Sequence, residues 1–223
     1  MTLDPYTGAP RPGAPCPADP RPAATAPRHR LTGLVLALAL ALGCATAAPE
    51  ADLPRVRFET SLGTIDVEID LAAAPVTAGN FLRYVDEGRF ADAHFYRVVT
   101  PDNQPNNDIR IEVVQGGLGF DPHPSSLPAI AHETTEATGL RHLDGTLSMA
   151  RNEPGSASSE FFFCLGDQPE LDFAGRRNPD GQGFAAFGQV VSGLAVLRTI
   201  QQRPARQQML DEKVAIRRIR RLP

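Results

Sequence analysis

An arginine stands inside an otherwise apolar run, "FYRVV", Phe95 to Val99. Alternation along a strand would put Phe95, Arg97 and Val99 on one face and Tyr96 and Val98 on the other. A lone strand arginine ordinarily lays its stem over apolar surface and sends its head to water. The other chemistry open to it is that of a fixed hydrogen-bond donor beside dry walls, where a donor stabilises developing negative charge or a freed lone pair. Further along, Gln115 precedes a glycine pair in "VVQGG", and "EFFFCL" places Glu160, Phe162 and Cys164 on one strand face and Phe161, Phe163 and Leu165 on the other.

Other chemistries find little support. His94, His123, His132 and His142 share no ligand spacing, and neither a CxxC nor an HExxH occurs, so no metal and no cofactor are expected. "GGLGF", Gly116 to Phe120, is followed by Pro122 rather than by a helix pattern and reads as a turn, not a phosphate cradle. "GSASS", Gly155 to Ser159, lacks the nucleophile-elbow pattern of hydrolases. The net charge of −4 argues against nucleic acid as a partner. Arg217, Arg218, Arg220 and Arg221 near the C-terminus read as charges that keep a terminal edge strand from pairing.

The elements that must position these residues are mostly short strands. "VRFETSLGTIDVEIDL" reads as a hairpin turning at Leu62-Gly63, and strand runs recur at "HFYRVV", "IRIEVVQ", "GTLSMAR", "EFFFCL", "FAAFGQVV" and "KVAIRRIRR". Two helices are expected. One has Pro75 near its start, Phe81, Leu82 and Val85 on one face, and Gly88 at its end; the other carries Leu194, Leu197 and Ile200 at helical spacing. Many strands with two helices imply a closed antiparallel barrel or a sandwich, and exclude a doubly wound sheet.

Ahead of this domain, residues 1–27 hold eight of the 21 prolines and read as a disordered leader. Residues 28–47 read as a signal peptide: Arg28 and Arg30 lead an apolar block, Leu31 to Leu42, too short to span a bilayer. Cleavage has two candidates, a lipoprotein-like box ending at Cys44, which would be lipidated, and Ala45-Thr46-Ala47 for ordinary signal peptidase. Residues 48–54 form a linker and 55–223 the folded domain. The expected location is the periplasm or a lipid anchor on the bacterial envelope. With three cysteines, Cys16, Cys44 and Cys164, no structural disulfide is expected.

Taken in order, "APVTAGNFLRYVDEG", "FYRVV", "VVQGG", "GTLSMAR", "SSEFFF" and "FGQVVSG" resemble the cyclophilin family of peptidyl-prolyl isomerases, over about Val56 to Arg220. Exported bacterial members look most similar. The resemblance implies an eight-stranded antiparallel barrel capped by two helices, with a substrate groove on its outside. It further implies Arg97 as catalytic arginine and Gln115 as the glutamine orienting arginine and substrate. Phe162, Leu171 and Val113, the last where methionine is usual, become walls of a proline pocket. Ala150 and Arg151 fall where the peptide backbone binds, and Phe184 near a histidine of many eukaryotic members. The implied substrates are proline-containing, unfolded or partly folded polypeptides, and the implied state is a monomer.

Three departures bear on activity. The segment "TPDNQPNNDIR" makes the Arg97 to Gln115 spacing roughly ten residues longer than usual, as a polar loop of turn formers. Glu112 falls at an aromatic pocket wall, leaving either an opener pocket or a substitute such as Phe120. Glu160 replaces a glutamine on the face of Phe162, where a carboxylate within reach of Arg97 would occupy its donors; the expectation is a modestly slowed enzyme that Glu160→Gln would speed up. The reading is therefore a cofactor-free isomerase of X-Pro bonds in envelope proteins. Its rivals are a module of the same barrel that binds proline peptides with weak or no turnover, and a barrel that carries a small ligand inside.

Overall fold

The computed structural model describes residues 53–223. The leader, the apolar block, both cleavage candidates with Cys44 and most of the linker lie outside the described residues. The chain enters as a hairpin, β1 (Arg55–Thr60) and β2 (Gly63–Ile69), joined at Ser61-Leu62. Val56 and Phe58, then Ile65, Val67 and Ile69, are fully buried, while arginines and carboxylates take the alternate positions. On that outer face Arg55 lies opposite Glu68 and Arg57 opposite Asp66, each as an ion pair. Exposed pairs of this kind reinforce register more than stability.

Helix α1 (Pro75–Asp86) has no side-chain cap of its own. The carboxylate of Glu133, far along the chain, accepts from the Val76 and Thr77 amides at 3.1 and 2.7 Å, placing a negative charge where the helix dipole favours it. The helix buries Phe81, Leu82, Tyr84 and Val85. There follow β3 (His94–Val99), β4 (Val113–Gly117), a four-residue helix α2 (Thr135–Thr138), β5 (Thr146–Met149), β6 (Phe161–Cys164), a 3-10 turn (Pro169–Leu171), β7 (Ala185–Ser192), α3 (Leu194–Gln201), β8 (Ala205–Arg206) and β9 (Met209–Arg221). The "IRIEVVQ" run is strand only from Val113, because the polar insertion ahead of it turns back through Asn103 and Gln104. The third helix, α2, is too short to announce itself by periodicity.

Strands β1, β2, β7, β5, β6, β4, β3 and β9 pair antiparallel in that order, and β9 pairs back onto β1, so eight strands close into a barrel; the two-residue β8 is only a hairpin partner of β9. The C-terminal strand is thus not an edge: it pairs with β1 and β3 along its length. Its arginines do other work. Arg220 bonds Glu59 and Arg221 bonds Asp86 at the end of α1.

Inside the barrel the inward positions of all the long strands are filled. Phe161 lies edge-on to Phe58, Phe81, Phe90, Phe95 and Phe163, with centroids 5.6 to 6.2 Å apart. Leu197 and Ile200 of α3 join the same cluster. A lumen so filled by aromatic rings holds no space for a carried ligand, which removes the ligand-carrier reading. No helix among the described residues is long and apolar enough to cross a membrane.

One backbone position pins α3 to β2. Gly193 precedes the helix with φ at 88°, and a Cβ there would lie 2.2 Å from the Thr64 carbonyl oxygen. Gly193→Ala is expected to cost roughly 1–3 kcal/mol, read as a melting temperature lower by about 3–10 °C. An unchanged melting temperature would show that β2 and α3 can part without penalty.

Candidate active site

Outside the barrel, a second apolar cluster lies on the far side of the β4–β6 sheet from the core. Val99, Ile111, Val113, Phe162, Cys164 and Leu171 pack together, with Ala150 and Phe184 against them. Alternation along β6 behaves as the residue pattern predicts, with Phe161 and Phe163 in the interior and Phe162 and Cys164 in this outer cluster. The Phe162 ring meets Phe184 edge to face at 5.2 Å, and the imidazole of His142 stacks on it at 6.0 Å. Leu171 arrives on the 3-10 turn, and its carbonyl accepts the Phe184 amide at 2.9 Å, which ties the two walls together. The cluster forms one end of a groove of about 540 Å³ that Arg97, Gln115, Glu160, Arg151 and Phe120 also line, a size suited to a short peptide segment.

Arg97 reaches this groove because alternation fails in β3. Phe95 pairs with Gly116 and Arg97 with Gln115, leaving Tyr96 as an extra residue in a bulge. Phe95 and Val98 therefore point into the core, whereas Arg97 and Val99 point outward. The shared face expected for Phe95, Arg97 and Val99 holds only for the last two. A bulge re-aims the side chains that follow it, and here it lets a charged residue leave a strand whose neighbours fill the interior.

The guanidinium is half-buried and held by two glutamines. Its Nη1 donates to Gln115 Oε1 at 2.7 Å, and Nε donates to Gln208 Oε1 at 3.1 Å, with Nη2 on the same oxygen. Gln208 sits in the β8–β9 turn, where it and Gln207 adopt left-handed backbone with φ of 74° and 49°. Its own Nε2 donates to the Asn103 carbonyl at 3.1 Å, so the inserted loop braces the arginine's second anchor. Burial lowers the arginine's affinity for its proton, but a guanidinium remains charged under any ordinary condition. No carboxylate pairs with it among the described residues.

Glu160 does not touch Arg97. The Tyr96 hydroxyl donates to its Oε2, and Oε1 accepts from the Leu118 and Gly119 amides at 2.8 and 3.0 Å and from Ser159 Oγ at 3.0 Å. The bulge keeps the two apart: it turns Tyr96 outward, where its hydroxyl takes the Glu160 carboxylate. Burial holds the Glu160 carboxyl above its usual range, against the opposing pull of these four donors. Gly117 makes the arrangement possible, since a Cβ there would lie 2.6 Å from both carboxylate oxygens.

Arg151 is occupied as well. Its side chain is 1% exposed, pairs with Asp180 through both terminal nitrogens, donates to the Gly183 carbonyl and lies 5.3 Å from the Phe184 ring centroid. The ion pair holds Asp180 down to about 2. Arg151 thus fastens the Phe184 wall with its guanidinium and offers a peptide only its backbone. The Ala150 amide is already bonded to the Glu160 carbonyl. Glu112 turns away from the groove, within 3.3 Å of Gln201 on α3, and Ile111 takes the apolar place beside Val113. Phe120, 67% exposed, stands at the groove rim against Tyr96, with ring centroids 5.1 Å apart.

His142, in the loop between α2 and β5, is buried. Its ring bonds Asp172 at 2.7 Å and Ser148 Oγ at 2.9 Å. The three resemble a hydrolytic triad, yet Ser148 is fully buried in β5 with no path for a substrate. Burial pushes the Asp172 carboxyl up, but the bonds from His142 outweigh it and hold the group below its usual range. The trio instead backs the Phe162 ring. Cys164 is also buried, and burial pushes its thiol well above the usual range, so it is chemically quiet.

The family described as cyclophilin type peptidyl-prolyl cis-trans isomerase/CLD matches residues 55–221. The chain belongs to the cyclophilin family. Among its relatives, the peptidyl-prolyl cis-trans isomerase cyp18 of Streptomyces antibioticus is 37% identical over 147 residues, which is 65% of this chain and 81% of that protein. Peptidyl-prolyl cis-trans isomerase A of Dickeya dadantii is 37% identical over 151 residues, covering 66% and 70%. Isomerase B of Escherichia coli is 35% identical over 147 residues, covering 65% and 82%. The crystal structure of a Cryptosporidium parvum cyclophilin superposes with a TM-score of 0.60 at 20% identity over 77% of this chain and 98% of its own. A structure of that protein in the presence of the dipeptide Ala-Pro superposes at 0.58 over 74% and 96%, again at 20% identity. These last two establish the cyclophilin barrel and nothing further.

Within that family setting, the groove brings together Arg97, Gln115, Val113, Phe162, Leu171, Ala150, Arg151, Glu160 and Phe184, all singled out from the sequence. Three contributors went unread. Gln208 lies 111 residues from Arg97, Ile111 sits at the end of the insertion that upsets spacing, and Tyr96 is displaced by a bulge. Only Tyr96 left a trace in the sequence, since it borders the arginine in the "FYRVV" motif.

Proposed function

We propose that the protein accelerates cis-trans rotation about X-Pro bonds of polypeptides, with Arg97 as the catalytic residue. The single observation that carries the reading is a guanidinium that has no carboxylate partner among the described residues, fixed by two glutamine oxygens beside an apolar cluster that includes Val113, Phe162 and Leu171. Family membership supports it, as does the Ala-Pro dipeptide present with a protein of the same fold.

The barrier is roughly 18–20 kcal/mol because the amide C–N bond has partial double-bond character. As the bond twists, conjugation is lost and the proline nitrogen regains its lone pair. A donor aimed at that nitrogen is favoured in the transition state over the ground state. A bond of this type contributes roughly 1.5–3 kcal/mol, whereas an acceleration of about a millionfold takes ~8 kcal/mol. The remainder comes from Phe162, Leu171, Val113 and Ile111, which grip the proline ring and keep water from the amide, with Gln115 orienting the arginine. No covalent bond breaks, and no cofactor takes part.

The substrates we envisage are unfolded or partly folded proteins of the bacterial envelope, met by a monomer in the periplasm or tethered by a lipid on Cys44. What supports that location is the apolar block Leu31 to Leu42 behind Arg28 and Arg30. The second reading, a proline-peptide binding module, draws on the fact that Gln115 and Gln208 already occupy three of the arginine's donors. Measuring the exchange rate of a proline tetrapeptide with the protein and with Arg97→Ala decides between them. Acceleration lost in the variant supports the isomerase; peptide binding without acceleration by the parent protein selects the module.

A further inference from the structure

We propose that Glu160 and Tyr96 are positioning residues that fix the direction of the Gln115 amide and thereby hold Arg97 in its reactive orientation. The proposal rests on the isomerase reading and assigns roles to two groups that act on the arginine through Gln115, Glu160 making no contact with Arg97 itself.

The argument is one of hydrogen-bond polarity. The Leu118 and Gly119 amides can only donate, so the Glu160 oxygen they share must accept. The other oxygen then takes the Tyr96 proton. With its hydrogen committed, the Tyr96 oxygen accepts, and Gln115 Nε2 donates to it at 2.9 Å. The amide of Gln115 is thereby turned with Oε1 toward Arg97 Nη1 at 2.7 Å. Flipped, it would present N–H to a guanidinium that has no acceptor at all. Two backbone amides thus set the sense of a line that runs through a carboxylate, a phenol and an amide to the arginine. Charged and polar links in such a line strengthen one another in a dry setting.

The groups facing Glu160 are Tyr96 on β3, the two amides after β4 and Ser159 beside it; Arg97, Asp121 and Arg151, the last paired with Asp180, are charged groups sharing its groove. When Glu160 takes up a proton, its Oε2 becomes a donor to Tyr96, the Tyr96 hydrogen turns toward Gln115, and the amide loses its reason to face Arg97. Burial holds Glu160 above the usual carboxylate range, so the line keeps its sense while Glu160 is ionised, and activity is lost as pH falls through that raised range. The amide of Glu160→Gln reproduces the protonated state: its oxygen must serve the backbone donors, and its NH2 faces Tyr96.

The test measures kcat and KM by protease-free exchange spectroscopy from about pH 5 to 8, together with the NMR resonance of the Arg97 Nε–H. For the parent protein we expect a one-proton fall in kcat on the acid side with KM unchanged, and an Arg97 resonance that moves with the same midpoint. Tyr96→Phe and Glu160→Gln should each lower the neutral-pH kcat about tenfold, abolish the acid fall, and leave the Arg97 resonance indifferent to pH. An acid fall that persists unchanged in Tyr96→Phe, or a Glu160→Gln protein with the parent kcat and profile, overturns the proposal. A parent protein without acceleration at any pH refutes the isomerase reading instead. The Arg97 resonance then still decides, since one that ignores pH in the parent protein overturns the positioning role by itself.

Discussion

Exchanging Arg97 for lysine is expected to lower kcat/KM for a proline peptide nearly as far as exchange for alanine. Alanine removes a preorganised donor from a site with little water, for which losses of about 10²–10³-fold are usual. Lysine keeps the charge but not the shape. Arg97 is held because its flat fork reaches two oxygens at once, Gln115 Oε1 through Nη1 and Gln208 Oε1 through Nε and Nη2. An ammonium is a strongly hydrated point charge on a flexible stem and can sit on only one of those oxygens. The variant should fall within about tenfold of alanine, with a peptide affinity close to that of the parent protein, because the apolar walls are untouched. Protease-free exchange kinetics and a titration of the same peptide check both halves. A lysine variant near the parent rate would mean that positive charge, not a directed donor, carries the reaction.

The second large effect falls on stability and on the residue next to the pocket wall. Phe161→Ala is expected to cost roughly 3–5 kcal/mol, against a total of about 5–15 kcal/mol for a domain. Five other rings lean on this one, drawn from β1, α1, β3, β6 and the segment between α1 and β3. No single neighbour can collapse into the space left, so the cavity term is near its full size. Equilibrium urea unfolding measures it through the midpoint at constant slope. Phe162→Ala, one position along, leaves that cluster intact and removes the wall that Phe184 and His142 hold; its cost appears in turnover and KM. If the two variants lose stability equally and activity equally, the assignment of opposite faces to Phe161 and Phe162 is wrong.

The largest share of the architecture is written locally. Period-two burial in β1 and β2, and in β6 the alternation of side chains between the interior and the outer cluster, follow from alternation within each strand, and the helical stripe of Phe81, Leu82 and Val85 follows from spacing within α1. The walls Val113, Phe162 and Leu171 are legible from the family resemblance, and for Phe162 strand alternation also gives the outward face. Arg97 with Gln115 is legible from motif order. The barrel's interior needed only enough bulky residues at inward positions to fill it.

Partner choice is of a different kind. In the sequence Glu160 and Arg97 face one groove and look like an ion pair; the bulge brings the Tyr96 hydroxyl to the carboxylate and turns a competitor into a distant support. Gln208 becomes the arginine's second anchor only because β9 closes the barrel beside β3 and brings its turn alongside. The same closure removes the edge that the C-terminal arginines were expected to guard. The sequence alone determined which faces are apolar, because periodicity depends on a residue's near neighbours, and the order of its motifs, through the resemblance, marked the residues that could serve as donor and wall. Only the tertiary structure decided which polar groups meet, because a hydrogen bond is made or lost over less than an ångström, and one extra residue in one strand moves everything beyond it to the other face.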